Sequence, residues 1–199
     1  MRAFALVILA VAVGAHAAPA GRPAAAPSSA RPAALPTAPP LRTISWPQQR
    51  AAGKLISGEI VPPRPGQPFE ALRVENTTDR IRTFTVATLD SPGIRQADWA
   101  LTGKVQYVGV QGRGYLEVVC RFPDGEVHFV RTLARAGKTQ WLEGTEFWRE
   151  FALPFHSFKR HQPSRLVVNV VLPKRGLVDL GPLTLHEGTA AYRAALGGR

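Results

Sequence analysis

Residues 115–133 read YLEVVCRFPDGEVHFVRTL, and this stretch decides the fold. Two runs rich in β-branched and aromatic residues, 115–122 and 126–133, flank the dipeptide Asp124-Gly125. Glycine adopts the positive φ that a tight turn needs, and Asp-Gly between two such runs is a strong short-range hairpin signal. The stretch therefore predicts two antiparallel strands joined by a short turn.

Strand-like runs and turns alternate on both sides of this hairpin. Proline, glycine, asparagine and aspartate cluster between the runs, and Gly112-Arg113-Gly114 predicts one of the turns. Short strands at regular spacing are typical of sandwiches and jelly rolls. We therefore predict an all-β, antiparallel jelly-roll β-sandwich of about nine strands, with a turn or two of helix at 190–196 and none before it. The runs are residues 54–61, 69–75, 81–89, 99–110, 115–122, 126–133, 147–153, 166–172 and 177–186.

Strand parity assigns side chains to faces, because successive residues of a strand point to opposite sides. In 115–122 the core face carries Cys120 among apolar residues, which predicts a buried and unreactive thiol. The non-core face carries Tyr115, Glu117 and Arg121, and His128 of the next run is expected on the same face. In 166–172 the corresponding face carries Asn169 between Val167 and Val171, and its apolar neighbours predict that it is partly covered.

The first 43 residues are predicted to lie outside the globular domain. Arg2, the apolar run 4–14 and Ala15-His16-Ala17 fit a cleavable signal peptide, 1–17, with an uncleaved N-terminal anchor as the alternative. Residues 18–43 are mostly alanine and proline, which predicts a disordered Pro/Ala-rich linker. The β-sandwich domain then spans 44–199. We expect a periplasmic or secreted bacterial protein with no transmembrane anchor after leader cleavage.

Charge and cysteine content narrow the classes of partner. The leader and linker hold four arginines of a chain whose net charge is +11, so the domain keeps +7. Basic and acidic residues are interspersed there, with neither the basic stripe nor the motif of a nucleic-acid-binding protein, so no nucleic-acid partner is expected. An exported basic domain is suited to a glycan or an anionic envelope component. One cysteine permits no intramolecular disulfide.

Five segments resemble one fold family: WALTG (99–103), GRGYLE (112–117), FPDG (122–125), GTEFWREFALPF (144–155) and GLVDLGPLTL (176–185). In this order they are similar to the galactose-binding-domain-like jelly roll that many carbohydrate-binding modules use. The resemblance covers about three-quarters of the domain and implies a jelly roll and carbohydrate binding. Members that bind calcium place an acidic residue where Gly181-Pro182 stands here, and Asp179 is alone nearby. No cofactor is therefore predicted, with calcium as the open alternative.

Catalytic and metal motifs are absent from the sequence. It contains no Gly-x-Ser-x-Gly elbow, His-Glu-x-x-His helix, phosphate loop or dinucleotide fingerprint. Glu117 and Glu126 have parities that could place two carboxylates on one face, as glycosidases need, but ion pairs with Arg121 or Arg131 are the preferred interpretation. The histidines lack zinc-ligand spacing. We predict a protein that is not an enzyme.

Aromatic residues with polar neighbours support a binding function, because rings match the apolar C–H faces of sugars while polar groups orient the hydroxyls. The predicted function is non-catalytic binding of carbohydrate or a related envelope ligand. The alternative is a structural or protein-interaction module of an envelope assembly, docking on the Val167/Val171 face or on the basic loop 159–161. The candidate ligand-binding residues are Tyr115, Glu117, Arg121, His128, Trp141, Trp148 and Asn169.

Overall fold

The structure, a computed structural model, describes residues 39–158 and 162–197. The predicted signal peptide, most of the predicted linker and the basic loop 159–161 lie outside the described residues. Neither helix in the described part is long and apolar enough to cross a membrane. The elements are β1 Arg42–Ile44, α1 Trp46–Ala51, β2 Glu59–Val61, β3 Ala71–Asn76, β4 Arg82–Asp90, β5 Asp98–Arg121, β6 Val127–Arg131, β7 Leu142–His156, β8 Arg165–Leu172, β9 Gly176–Leu180, β10 Leu183–Glu187 and α2 Thr189–Ala195.

The strands form two antiparallel layers that share β5. In the larger sheet, the first half of β5 pairs with β7 on one side and with β10 and β9 on the other. β1 extends the sheet beyond β10, and β3 and β2 extend it beyond β9. In the smaller sheet the strand order is β6-β5-β8-β4, built on the second half of β5. The prediction of an antiparallel all-β sandwich is confirmed.

β5 is a single bent strand where the sequence predicts two strands and a turn. Gly109 and Gly112 have φ values of 62° and 74°, and the register with β7 shifts on both sides of Val110. Bulges of this kind bend a strand while its pairing continues. The prediction of a turn at Gly112-Arg113-Gly114 is therefore wrong, because the glycines redirect the strand from the larger sheet to the smaller one.

Other predicted elements differ in their limits. Run 177–186 divides into β9 and β10 at Gly181-Pro182, since proline lacks the N–H that a continuous ladder needs. Run 54–61 is a strand only at Glu59–Val61. Helix α1 contradicts the expectation of no helix before the tail; it has six residues, too few for a periodic pattern, with proline in its first turn. Helix α2 lies where 190–196 predicts one.

One hydrophobic core draws side chains from both sheets. Leu116, Val118 and Cys120 of β5 are at most 1% exposed, as their parity predicts. Burial also raises the pKa of the Cys120 thiol to about 12, so the thiolate is scarce at neutral pH. Trp46 of α1 is fully buried and its Nε1 donates to the Leu180 carbonyl at 2.8 Å, which fixes the helix to the end of β9. The interior of the sandwich is filled by packing, and the faces left to meet a ligand are the outer ones.

Candidate functional site

The outer face of the smaller sheet carries a chain of hydrogen bonds across all four strands. The register places Arg131 of β6 opposite Glu117 of β5, Glu117 opposite Asn169 of β8, and Asn169 opposite Thr85 of β4. Directly opposed residues of antiparallel strands project to the same side, so the four side chains form one row. The row runs from Arg131 on one edge strand of this sheet to Thr85 on the other.

Each link of this row is a side-chain hydrogen bond. Thr85 Oγ1 donates to Asn169 Oδ1 at 2.9 Å, and Asn169 Nδ2 donates to Glu117 Oε1 at 3.0 Å. Arg131 Nε donates to Glu117 Oε2 at 2.5 Å. Glu117 and Asn169 are only 6% and 7% exposed. A buried carboxylate between an amide and a guanidinium is held in place, because any other position leaves a polar group without a partner.

Two aromatic rings flank the guanidinium of Arg131. Its Cζ lies 4.0 Å from the centroid of the Phe129 ring and 5.1 Å from that of Tyr115. Phe129 remains 56% exposed, while Tyr115 is half-buried. We call the surface made by Tyr115, Glu117, Phe129, Arg131 and Asn169 the Glu117 face. It combines exposed aromatic area with fixed hydrogen-bonding groups.

The rows next to this one differ in character. Towards the hairpin, Val119 lies between Phe129 and Val167, giving an apolar row. The following row pairs Arg121 with Arg165, and Arg165 Nε contacts Asp90 Oδ1 at 2.5 Å. Val171, in the opposite direction, is only 3% exposed. Of the Val167/Val171 surface predicted from the sequence, Val171 is therefore buried and Val167 is partly exposed, so the two do not form a flat exposed apolar patch.

Four of the seven sequence-predicted residues come together on this outer face: Tyr115, Glu117, Arg121 and Asn169. Glu117 and Asn169 touch, Tyr115 flanks their neighbour Arg131, and Arg121 lies two rows away, at the exposed end of β5. The preferred ion pair of Glu117 with an arginine of the hairpin is present, with Arg131 as the partner.

His128 lies on the opposite side of the sheet, which corrects its placement with Glu117. A two-residue turn at Asp124-Gly125 would pair His128 with Arg121, but the register pairs it with Cys120. Phe122 N–H donates to the Glu126 carbonyl, so the loop has three residues, and the one-residue difference reverses every side chain of β6. His128 instead contacts the Phe122 ring edge-on and pairs with Glu126 at 3.0 Å.

The same one-residue shift in register places Glu117 and Glu126 on opposite sides of the sheet, although their parities could have placed them on one face. Glu126 shares the side of His128, away from Glu117. The neighbours of Glu117 in its row are an arginine and an asparagine. Facing carboxylates of the glycosidase type are thus not formed by Glu117 and Glu126.

The two predicted tryptophans lie elsewhere. Trp141 immediately precedes β7, whose first residue, Leu142, is paired with Gly114 of β5. Arg113 covers its ring at 4.3 Å and its Nε1 donates to Glu143 at 3.0 Å. Trp148 belongs to the larger sheet and contacts Phe69 edge-on, with ring centroids 4.9 Å apart. The structure does not bring Trp141 and Trp148 together with the row of Glu117.

Phe129 is a part of this face that the sequence does not predict, and Arg131 is expected from the sequence only as an ion-pair partner of Glu117, not as a ligand-binding residue. Both are odd-numbered residues of run 126–133, on the side of the strand opposite to His128. The three-residue hairpin loop places Phe129 opposite Val119 and Arg131 opposite Glu117, so only the correct register could have predicted them. Thr85 is the third such residue, and no motif surrounds it.

Metal-ligating side chains of the described residues do not cluster on either sheet. Within 39–158 and 162–197, no three histidine, cysteine, aspartate or glutamate side chains are grouped so as to hold a metal ion. Asp179 is fully buried, and both of its oxygens accept hydrogen bonds from Arg73, at 2.8 Å each. Gln106 Nε2 donates to it as well, at 2.8 Å. Its carboxylate therefore serves as the internal counter-charge of Arg73.

No protein-family profile and no curated protein sequence matches the chain. Solved structures that resemble it include a xylan-binding domain from Paenibacillus barcinonensis, at a TM-score of 0.44 and 11% identity over 77% of this chain and 97% of that one. A family 61 carbohydrate-binding module in complex with β-1,4-galactotriose gives a TM-score of 0.41 and 11% identity over 66% and 86%. An apo cyclase from Fischerella sp. gives 0.35 and 11% over 73% and 82%. The first two are carbohydrate-binding modules. At these TM-scores and identities the similarities indicate neither a ligand nor an activity. Any proposal about either rests on the residues of this chain.

Proposed function

We propose that the protein binds a glycan, without catalysis, on the Glu117 face. The observation that carries the proposal is the exposed ring of Phe129 beside a buried, fully fixed row of polar groups. Sugar rings offer flat C–H surfaces to an aromatic ring and hydroxyls to the polar groups around it. This face presents both kinds of surface on one rigid sheet.

The polar groups retain capacity after their internal hydrogen bonds are made. A carboxylate accepts at about four lone-pair positions, and Glu117 uses two of them within the row. A guanidinium has about five N–H donors, of which Arg131 gives one to Glu117. Asn169 Nδ2 carries a second N–H. Since the internal bonds already hold these side chains, a ligand would bind without the cost of ordering them.

The proposal of a non-catalytic role follows from the charges around Glu117. Glycoside hydrolysis by the common mechanism needs two carboxyl groups on either side of the scissile bond. In the described rows the nearest acidic side chain on this face is Asp90, two rows away, and it is paired with Arg165. One carboxylate that is tied to an arginine suits recognition of hydroxyls.

Location is a separate proposal, based on residues 1–17. If they act as a leader, the ligand is met in the periplasm or outside the cell. N-terminal sequencing of the protein recovered from an expressing bacterium tests this, with a new N-terminus at Ala18 expected. An intact Met1 on all of the recovered chain would contradict export by a cleaved leader.

The binding proposal is tested with the purified full-length protein on a glycan array at moderate salt, beside Phe129→Ala. Loss of a stacked ring worth about 1.5 kcal/mol should weaken binding to the selected glycan by about tenfold. Phe147→Ala is the matched control, because Phe147 is 85% exposed on a different strand. Equal weakening by both substitutions, or binding only to polyanions that salt abolishes, would contradict the proposal and direct attention to protein partners.

A further inference from the structure

A second concave surface lies on the outer face of the larger sheet, away from the Glu117 face. It is a groove of about 500 Å³ between the sheet and helix α2. The helix faces it with alanines, Ala191, Ala194 and Ala195, and Ala195 packs against alanines of β5 and β7. Because these side chains are small, space remains between helix and sheet that no residue of the described chain fills.

The register of β5 and β10 gives the groove its length. Lys104 and Thr102 lie along β5, Thr184 is opposite Thr102, and His186 is opposite Ala100. Lys104 and His186 are therefore about four strand residues apart, which is about 13 Å at ~3.3 Å per residue. The groove is elongated, with a cation at one end, two threonines in the middle and an imidazole at the other end.

The polar groups of the groove are incompletely satisfied. His186 Nδ1 is buried and has no hydrogen-bond partner among the described residues. Thr102 Oγ1 makes only a long hydrogen bond, 3.4 Å, to the Thr184 carbonyl. Buried polar atoms without partners are uncommon in folded proteins, and an ordered water that reaches them is one of the ways in which they are satisfied.

Lys104 supplies a positive charge that is only partly compensated, through its electrostatic interaction with Glu150. No carboxylate of the described residues lies within ion-pair distance of its ammonium, which instead lies 5.7 Å from the Phe69 ring. Glu150, opposite Lys104 in the register, is hydrogen-bonded to Lys138 at 2.8 Å, and this bond lowers the pKa of Glu150. Two lysines therefore face one carboxylate, and the formal charge of these three groove residues is positive.

The apolar part of the groove is fixed by packing. The Phe69 ring is in edge contact with Trp148 on one side. A Cβ on Gly181 would lie 3.0 Å from the same ring, so the glycine lets the ring approach the backbone there. Phe69 and Pro182 thus form a preset apolar surface beside Lys104.

We propose that this groove binds an acidic disaccharide, with a carboxylate at Lys104, an apolar sugar face against Phe69 and a hydroxyl at His186. The two ends lie about 13 Å apart along the strand, a length that suits a ligand of two sugar rings, and a groove of about 500 Å³ is in the usual range for small ligands. The site is distinct from the Glu117 face and does not depend on it.

The test is calorimetry of the purified full-length protein with digalacturonic acid and with the neutral α-1,4-galactobiose, which lacks the carboxylates. We expect the acid to bind at least about tenfold more tightly, since a hydrogen bond to a charged group is stronger than a neutral one. Lys104→Gln should bring the acid down to the affinity of the neutral sugar. Ala194→Leu should abolish binding of both, because the larger side chain occupies the groove from an exposed helix position.

Two further variants test whether binding takes place in the groove, or instead depends on the overall positive charge or on the Glu117 face. Lys174→Gln removes an exposed lysine of the β8–β9 turn and should leave binding unchanged, and Phe129→Ala should do the same. Equal affinity for the acidic and neutral sugars, or no binding of either, would overturn the proposal. Binding that survives Lys104→Gln and Ala194→Leu but is lost in Phe129→Ala would also overturn it, while supporting glycan binding on the Glu117 face.

Discussion

Asn169→Asp is the substitution that most directly tests the row of hydrogen bonds that crosses the Glu117 face. The two side chains have nearly the same shape, so packing is preserved. The amide donor that lies 3.0 Å from Glu117 Oε1 becomes a carboxylate oxygen facing another. The bond that held the row together is replaced by repulsion between like charges.

The size of the effect follows from two competing costs. Two unit charges 3.0 Å apart repel by about 5.5 kcal/mol at an effective dielectric constant of about 20. Alternatively, the pair takes up one proton, which restores a hydrogen bond between the carboxyl groups. Holding that proton at pH 7, when carboxyl groups of the unfolded chain have pKa values of about 4, costs about 4 kcal/mol. Proton uptake is the cheaper of the two, so about 4 kcal/mol is the upper limit of destabilisation at pH 7.

The pH dependence has a definite sign. The variant binds a proton when folded that it does not bind when unfolded, so its stability relative to wild type rises as the pH falls. The deficit should decrease by about 1.4 kcal/mol per pH unit, to about 1.4 kcal/mol at pH 5. Urea unfolding followed by tryptophan fluorescence at pH 7 and pH 5 measures both values.

The double variant Asn169→Asp with Glu117→Gln is the control. It restores one carboxylate and one amide in exchanged positions, and it should recover most of the stability lost at pH 7. A deficit that is the same at both pH values, or smaller than about 1 kcal/mol at pH 7, would show that Glu117 and Asn169 are not in contact.

Three other expectations concern stability and reactivity. Cys120 should not react with a thiol reagent at pH 8 in the folded protein and should react fully in guanidinium; rapid reaction of the folded form would contradict its burial. Hydrogen bonds from His156 and Thr189 lower the pKa of Asp98, so its contribution is present above the unfolded-state pKa and is lost as the pH falls through the folded-state pKa. The stability difference between wild type and Asp98→Asn should therefore begin to fall as the pH drops below about 4 and be smallest below the lowered folded-state pKa, and a difference that does not fall in acid would refute this link. Trp46→Phe removes the donor to a buried carbonyl and part of a buried ring, and urea unfolding should show a loss of about 2–4 kcal/mol, whereas a loss below about 1 kcal/mol would show that α1 is not docked.

The sequence predicts the sandwich well because alternation of apolar residues is set locally. The buried side of the second half of β5 follows from parity alone, and the hairpin follows from Asp124-Gly125. The placement of His128 failed for a different reason. Relating one strand to the next requires the loop length, and a three-residue loop instead of two exchanges the faces of β6.

The bend of β5 could not be predicted from the sequence either. Glycines at 109, 112 and 114 are compatible with a turn between two strands or with bulges in one, and only pairing with distant β7 and β8 decides between them. The row of Glu117 likewise depends on Asn169 and Thr85, which lie 52 and 84 residues apart from their partners in the chain. Contacts at such separations have no local signature.

The continuous strand β5 also has a consequence for how the domain opens. It supplies ladders to both sheets, so neither sheet can lose its central strand without breaking the pairing of the other. Amide hydrogens of β5 should accordingly exchange only through global unfolding, with the same opening free energy at both of its ends. A ligand that binds the outer face of one sheet would then slow amide hydrogen exchange at the end of β5 that lies in the other sheet, since both ends open in one cooperative unfolding step.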